Sequence, residues 1–407
     1  MSDNNNNNTK TTTAVNRSLS DLHTPTWLAL LSSNIIVRTI FFHPINLAIA
    51  RKRVSQESKP PSLVEMIKLA YHGNNHNLKN KNNNINLGVG GIRGSYRGVG
   101  AAMFCNVLGE VSFLWTLETL KESFLQNNKN NSENNNNNNN MYEGNSVLTA
   151  LGAMAGDAVA LITVTPFVIV ANRQMTAQYG LTKENHYKNV SQTFRQVWQT
   201  YQNNNNNNVK NKIKSGLRGL YQGTSAGLLR IPSSGVWWYS YSKTKELLYE
   251  VSAPFLAEKN RMGKNIKNNN NNENQNLNIF QRSLLSSTDN PILNAAAGTV
   301  ASVLTTLLFN PLQVIQVRQQ TLATSYFDTL IKHSNKNKSL FYKMYASSFQ
   351  KTVVVARDIA EKEGLKSFFK GVTANVSVAV ADGIIFSLLF EFTKLGSDVS
   401  VLKEYFS

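Results

Sequence analysis

The chain has 407 residues, a formal net charge of +18 and a hydrophobic content of 41%, and its mean hydropathy of −0.29 is typical of a soluble protein. That average is misleading, because asparagine runs such as 134–140 and 203–208 dilute apolar segments that reach the roughly 20 residues needed to span a bilayer. The single cysteine, Cys105, excludes an internal disulfide. The excess of Lys and Arg indicates anionic partners, but no basic face with interleaved aromatics is visible, which argues against nucleic-acid binding.

Residues 1–23 are polar and rich in asparagine, and they contain Asp3 and Asp21 but no apolar core. This composition predicts a disordered tail. It lacks the features of a secretory signal or of an Arg-rich presequence. We therefore expect any targeting information to be internal.

Three units of similar organisation follow the tail, at 24–132, 145–254 and 288–407, with Asn-rich linkers at 133–144 and 255–287. Each unit opens with an apolar segment of helical length. The Asn runs lie between the units or in loops within them, where insertions cost little. We expect each unit to fold as one structural repeat.

A proline lies late in each opening segment, and an arginine follows it seven residues later. The three pairs are Pro44 and Arg51, Pro166 and Arg173, and Pro311 and Arg318. A proline inside a helix removes one backbone hydrogen bond and bends the helix. The pattern therefore predicts three bent helices at matched positions.

A second motif, G-[I/L]-[R/K]-x-x-[Y/F]-x-G, begins at Gly91, Gly216 and Gly364 and opens a second apolar segment in each unit. Its closing glycine lies 54, 57 or 60 residues after the proline of the same unit. Two motifs in three matched registers indicate one helical hairpin used three times.

These motifs resemble those of the mitochondrial carrier family, and the resemblance covers residues 26–396. In that family, odd-numbered helices carry P-x-[D/E]-x-x-[K/R]-x-[K/R]-x-Q, and even-numbered helices end in [F/Y]-[D/E]-x-x-[K/R]. The resemblance implies an all-α membrane protein with six transmembrane helices, arranged as three pseudo-symmetric hairpin repeats around a central cavity. It also implies a multi-pass monomer of the mitochondrial inner membrane, without enzymatic activity, cofactor or metal. Two ion-pair networks, one on the matrix side and one on the cytosolic side, would close the cavity in turn.

The matrix-side network of the family is missing from this chain. Its acidic positions hold Asn46, Val168 and Gln313, and its first basic positions hold Ile49, Ala171 and Gln316. The parts of the signature that remain are the prolines, the arginines and one glutamine: Pro44, Arg51, Pro166, Arg173, Pro311, Arg318 and Gln320.

The cytosolic network is better preserved, because two even helices keep both charges and the third keeps its base. Its residues are Glu118, Lys121, Tyr241, Lys245, Glu391 and Lys394. Loss of one network and retention of the other predicts a resting population shifted toward the matrix-open state. The alternative is that polar and apolar contacts replace the lost network without any such shift.

The family places its substrate contacts on the even helices, about 12 and 13 residues before the acidic gate position. The predicted substrate-binding residues are those contact points and two nearby acids: Asn106, Leu229, Arg230, Val378, Ala379, Asp157 and Asp382. One guanidinium and one or two carboxylates in an apolar pocket suit a zwitterion, with Arg230 on its carboxylate and an aspartate on its ammonium group. The alternative is that Arg230 pairs with Asp382 and only stabilises the barrel.

The fourth apolar segment, GLRGLYQG followed by IPSSGVWWYSYSKTKELL, resembles the branch of the family assigned to branched-chain amino acids. Ile231, Pro232, Ser234 and the Val236-Trp237-Trp238 run carry this resemblance. An alternative role for the two tryptophans is packing at the lipid interface, where Trp is frequent.

The closing glycines of the second motif lie at predicted helix starts, where free N–H groups and the helix dipole attract phosphate. The resemblance implies cardiolipin head groups there, held at Arg97, Gly98, Gly223, Lys370 and Gly371. The alternative is a turn with a basic residue at the interface.

The sequence therefore predicts an inner-membrane solute carrier that moves a neutral amino acid, with branched-chain ones favoured, by alternating access. The alternative is a degenerate carrier-fold adaptor of the mitochondrial outer membrane that transports nothing. The missing matrix network favours the adaptor, whereas the retained cytosolic gate and Arg230 favour the carrier.

Overall fold

The computed structural model describes residues 23–57, 60–73, 90–132, 141–179, 187, 189–200, 209–269, 290–322 and 347–397. The helices in chain order are α1 (Thr24–Val54), α2 (Leu63–His72), α3 (Ile92–Ser95), α4 (Val99–Ser132), α5 (Met141–Thr176), α6 (Val190–Thr200), α7 (Val209–Leu220), α8 (Thr224–Arg230), α9 (Pro232–Asn269), α10 (Pro291–Thr321), α11 (Ser347–Glu363) and α12 (Val372–Gly396), with a 3₁₀ turn at Leu365–Phe369 before α12. The predicted tail and parts of the predicted linkers lie outside the described residues. Helix α5 begins within the predicted linker 133–144, and α9 extends into the predicted linker 255–287.

Six rods form a closed ring: α1, α4, α5, the pair α8 and α9, α10, and α12. Each rod packs on the next in chain order, and α12 returns to α1. Five helices of the described chain are long and apolar enough to cross a membrane, and they belong to every rod except α8 and α9. Lys243, Lys245 and Glu246 make α9 more polar than the others. The predicted six-rod architecture is confirmed, with the fourth rod divided at Ile231.

The three signature prolines lie inside the continuous helices α1, α5 and α10. The shorter helices α2, α6 and α11 lie in the connections and pack on α1, α5 and α10, respectively. Helix α2 is fixed at its start by a reciprocal capping box between Ser62 and Glu65. Each repeat therefore contains a rod with an internal proline, a short connecting helix and a second rod.

The rods bury one face and expose an apolar outer face. Trp27, Leu31 and Ile35 recur at every fourth position of α1 and pack into a buried cluster with residues of α4 and α5. On the same helix, Val37 and Phe41 are 63% and 67% exposed. A helix surface with large exposed apolar side chains suits lipid contact, because its backbone polar groups are already satisfied within the helix.

The closing glycine of each second motif adopts the left-handed conformation, with φ of +83° at Gly98, +84° at Gly223 and +80° at Gly371. The first, third and fifth rods, α1, α5 and α10, are the odd helices of the family pattern. Each closing glycine approaches the C-terminal part of the next odd helix, and an added Cβ at Gly223 would lie 2.9 Å from Cγ of Gln320. Only glycine adopts this conformation without a steric penalty. The motif therefore allows the second rod of each repeat to approach the next repeat closely.

We expect Gly223→Ala to lower the free energy of unfolding by about 1–3 kcal/mol, because alanine is strained at this φ and crowds Gln320. Gly100→Ala is the matched control, because it lies in α4 with nothing within 4 Å of its added Cβ and alanine favours a helix interior. Thermal unfolding in detergent is followed by the loss of the helical circular dichroism signal. Equal midpoints for the two variants would contradict the role assigned to Gly223.

Candidate substrate cavity and its closure

A ring of three arginines closes the barrel at the end predicted to face the matrix. Arg51 Nε donates to the Met175 carbonyl at 3.1 Å, and Arg173 Nε donates to the Gln320 carbonyl at 2.9 Å. Arg318 Nε completes the cycle by donating to the Arg53 carbonyl at 2.8 Å. Each acceptor lies nine residues after the proline of the next odd helix. We call Arg51, Arg173 and Arg318 the arginine ring.

The physical basis of the ring is the C-terminal end of a helix. The last carbonyls of a helix have no partner within it and carry the negative end of the helix dipole. A guanidinium supplies several donors and a positive charge, and each ring arginine is at most 3% exposed. The ring thus joins the three odd helices without any carboxylate at the family's acidic signature positions.

At this end, polar contacts occupy the place of the family's missing ion pairs. The shift of the resting population toward a matrix-open state and its alternative both remain predictions. Gln313 accepts hydrogen bonds from Arg53 and from Asn375, the latter at 3.0 Å. Arginines and amides at helix ends can therefore close a barrel whose family network is absent.

The residues that precede the closing glycines also donate hydrogen bonds to residues at the C-terminal end of the next odd helix. Lys370 Nζ donates to the Ser55 carbonyl at 2.8 Å, and Gln222 Nε2 donates to the Gln319 carbonyl. Arg97 Nη1 donates to Gln178 Oε1 at 2.9 Å. Arg97 and Lys370, which were predicted to hold lipid, therefore have protein partners for their side chains, and Lys370 is 6% exposed.

Glu363, whose side chain is 8% exposed, is an acid at this end that the sequence analysis missed. Its carboxylate binds Arg318 at 2.6 Å and Lys370 at 2.6 Å. Burial by itself raises the pKa of Glu363, but the hydrogen bonds and positive charges of Arg318 and Lys370 outweigh burial, so the pKa is lowered. The signal available in the sequence was an acid directly before the second motif, where the other two repeats have Gly90 and Ser215.

A first cavity of about 280 Å³ lies next to the arginine ring and is lined by residues of α4, α5, α8 and α10. Arg230 and Asp157 both line it, and their charges attract each other. No salt bridge joins them, and Arg230 Nε is buried without a hydrogen-bond partner in the described part of the chain. The cavity therefore presents a cation and an anion that can each bind a ligand. Its apolar wall includes Leu161 and Val164.

Asp382 does not pair with Arg230, so the alternative of a barrel-stabilising pair between them is wrong. Its carboxylate instead accepts two hydrogen bonds from Arg38, at 2.8 Å from Nε and 2.9 Å from Nη2. Arg38 also contacts Glu110, at 3.2 Å. The sequence analysis missed Arg38 and Glu110, although both are charges within apolar spans, because it considered only the family's contact positions and two acids, Asp157 and Asp382.

A second cavity of about 360 Å³ adjoins the first and is lined by Arg38, Asp382, Trp237 and Trp238. Glu110 and Phe113 line both cavities. Trp237 Nε1 donates to Ser302 Oγ at 2.9 Å, and its ring stacks on that of Tyr241 at 5.3 Å. The two tryptophans thus line a cavity, and the alternative of packing at the lipid interface is wrong for them.

The structure places most of the predicted substrate residues in two different cavities. Arg230, Asp157 and Asn106 line the first cavity, whereas Asp382 and Ala379 line the second. Two predicted residues line neither cavity: Leu229, which is 42% exposed, and Val378. Adjacent helical residues point about 100° apart, so Arg230 and Ala379 face inward while their predecessors do not.

The predicted cytosolic gate is only partly described. Lys245 Nζ lies 5.5 Å from the ring centroid of Tyr249, and Tyr241 stacks on Trp237. Glu118 lies on α4, and the side chains of Lys121, Glu391 and Lys394 lie outside the described residues. The ion pairs of this gate therefore remain predictions.

The sequence of this chain is similar to a family model and to several known proteins. A family model described as "Mitochondrial carrier protein" matches residues 143–252 and 287–396. The chain is 24% identical over 249 residues to mitochondrial substrate carrier family protein J of Dictyostelium discoideum, a match that covers 61% of this chain and 60% of that protein. It is also 22% identical to the mitochondrial glycine transporters of Xenopus tropicalis, over 69% of this chain and 68% of the relative, and of Xenopus laevis, over 71% and 70%.

We expect Arg173→Met to open the closed end of the barrel. A charge-assisted hydrogen bond contributes about 1.5–3 kcal/mol, so its loss should raise the open population about tenfold or more. The readout is the rate at which a membrane-impermeant maleimide, added from that side in oriented proteoliposomes, labels the cavity residue Cys105. Arg195→Met, which removes an exposed arginine of α6, is the matched control. An unchanged labelling rate for Arg173→Met would mean that the ring does not close the cavity.

We expect the Glu363 pair to make stability depend on acid pH. Because the pKa of Glu363 is lowered in the folded protein, its contribution is present above the ordinary glutamate range and is lost as the pH falls through the folded pKa. Glu363→Gln should cost about 3 kcal/mol at neutral pH and flatten the decline in the unfolding midpoint between about pH 5 and pH 3. Glu361→Gln breaks an exposed pair on the same helix and should leave the unfolding midpoint nearly unchanged. Parallel pH profiles for Glu363→Gln and the unmodified protein would contradict this assignment.

Proposed function

The chain belongs to the mitochondrial carrier family, and we propose that it carries a neutral amino acid across the mitochondrial inner membrane. It is a multi-pass mitochondrial membrane protein of a family of transporters. The proposed mechanism is alternating access, in which the closed arginine ring seals the matrix side while the substrate occupies the cavity. Opening of the ring and closing of the cytosolic end would then release the substrate.

The observation that carries the substrate class is the unpaired Arg230 opposite Asp157 in the first cavity. An amino acid has a carboxylate and an ammonium group on one carbon, and the two side chains match these groups with opposite charges. The guanidinium can bind a carboxylate with two parallel hydrogen bonds. The Nε atom of Arg230 is buried without a hydrogen-bond partner in the described part of the chain, and an unsatisfied buried donor is costly, so a substrate carboxylate that accepts from it would remove this cost.

The wall of the first cavity supports a neutral side chain on the substrate. Leu161, Val164 and Val168 line it beside Arg230 and Asp157. Relatives described as glycine transporters agree with an amino acid as substrate. The local resemblance of the fourth segment favours branched-chain amino acids, so glycine, valine and leucine are the first substrates to compare.

Membership of the family is the basis for four further parts of the proposal: the repeats, the oligomeric state, the membrane and the lipid sites. We infer three repeats at 24–132, 145–254 and 288–407, a monomer as the transporting unit, and an inner-membrane location. We also infer that the closing glycines Gly98, Gly223 and Gly371 mark cardiolipin sites. Since Arg97 and Lys370 contact the protein, the backbone N–H groups of the helix starts would supply most of the binding to phosphate.

We expect purified protein in liposomes to take up radiolabelled glycine, valine or leucine, and Arg230→Met to reduce uptake about 10–100-fold. The reduction corresponds to the loss of a charge-assisted hydrogen bond of about 1.5–3 kcal/mol. Asp157→Asn should weaken uptake in the same assay, because it removes the predicted partner of the ammonium group. Arg218→Met is the matched control, since Arg218 is exposed on α7 of the same repeat.

Two outcomes would count against the proposal. Equal uptake by Arg230→Met and Arg218→Met would remove Arg230 from the substrate site. Absence of uptake of any amino acid, together with recovery of the protein in the outer-membrane fraction, would favour the adaptor instead.

A further inference from the structure

The cluster of Arg38, Glu110 and Asp382 contains two carboxylates and one guanidinium. Arg38 binds Asp382 with two short hydrogen bonds, from Nε at 2.8 Å and Nη2 at 2.9 Å. Its contacts with Glu110 are longer, 3.2 Å from Nη1 and 3.5 Å from Nη2. The guanidinium is therefore matched mainly by Asp382, and Glu110 is the acid without a full counter-charge.

Among the described residues, the elements around Glu110 supply no cation other than Arg38 that pairs with it directly. Arg38 faces it from α1 and Asp382 from α12. Asp157 of α5 and Arg230 of α8 share the first cavity with it and attract each other. The cavity residues contributed by α9 and α10, such as Trp237 and Gln316, are not titratable.

A surplus carboxylate at bilayer depth is costly, and two carboxylates that share one counter-ion disfavour the state in which both are ionised. A proton on Glu110 removes the surplus and leaves the pair between Arg38 and Asp382 intact. The side chain of Glu110 is 32% exposed, so water in the cavity can reach it. A proton can therefore bind and leave whenever the cavity opens to either side.

We propose that Glu110 is a proton-binding site and that one proton moves with each amino acid. This inference rests on the proposed function, because it assigns a co-transported ion to the same cavity. Glu110 lines both cavities, so it connects the site formed by Arg230 and Asp157 with the pair formed by Arg38 and Asp382. The proton passes from water on one side to a Glu110 oxygen, remains there while the cavity changes its exposure, and returns to water on the other side. The zwitterion and the proton together carry one positive charge.

The test measures amino-acid uptake and internal pH together in proteoliposomes that contain a trapped pH-sensitive dye. For the unmodified protein, we expect an inward proton gradient of about one pH unit to raise initial uptake up to about tenfold, because one proton per substrate follows the gradient. Internal acidification should accompany uptake. In Glu110→Gln, the ratio of uptake with the gradient to uptake without it should fall to about one, and acidification should disappear.

Substrate counterflow at equal pH on both sides shows whether Glu110→Gln is folded, because exchange requires no net proton movement. Glu110→Asp retains a carboxyl group and should restore part of the gradient stimulation. Glu246→Gln, an exposed glutamate of α9, should behave like the unmodified protein.

The outcomes separate this inference from the proposed function. Amino-acid uptake without acidification, or uptake driven by a sodium gradient in place of a proton gradient, overturns proton coupling and leaves the transporter standing. Full gradient stimulation in Glu110→Gln overturns the assignment to Glu110, as does loss of counterflow in both Glu110→Gln and Glu110→Asp, which indicates a substrate contact. No uptake or counterflow by the unmodified protein at any pH overturns the proposed function itself.

Discussion

The hydrogen bonds from three buried arginines to the ends of neighbouring helices hold the closed end of this barrel together. Each arginine crosses from one odd helix to the next, so the three bonds form a cycle. The acceptors are carbonyls that no helix can satisfy internally. Removal of any one arginine would leave such carbonyls buried and would break the cycle. The positions of the even rods depend on this arrangement, because the closing glycines pack on the same helix ends.

The charged groups that face the cavities are available because the arginine ring closes the barrel without them. Since the ring needs no carboxylate from the family's acidic signature positions, the acids within the described spans can serve the cavity. Glu110, Asp157 and Asp382 face it together with Arg38 and Arg230. Arg38 and Asp382 form a bidentate pair. Arg230 and Asp157 can each bind a ligand, and Glu110 has only a partial counter-charge from Arg38. A zwitterion bound with a proton is one occupant that balances this set.

The family resemblance was a good guide to backbone geometry and a poorer guide to side-chain partners. The prolines, the arginines seven residues later and the closing glycines all recur in matched structural positions, because each meets a backbone constraint that repeats three times. By contrast, Asp382, which was expected to bind the substrate ammonium group or, in the alternative, Arg230, instead binds Arg38. Lys370, read as a lipid-binding residue, instead binds Glu363 and the end of α1. Such partners depend on which faces of distant helices meet.

The sequence by itself determined the three-hairpin plan, the six rods and the glycine turns, because apolar length, proline spacing and glycine conformation are local properties of the chain. It also identified Arg230 and Asp157 as charges inside the barrel. Only the tertiary structure decided that Arg38 binds Asp382, that Leu229 faces outward and that Trp237 faces a cavity. It also decided that arginine-to-carbonyl bonds close one end, since carbonyl acceptors are present in every residue and leave no trace in a sequence motif. These features depend on the rotation and spacing of helices that are remote in the chain, which no local pattern specifies.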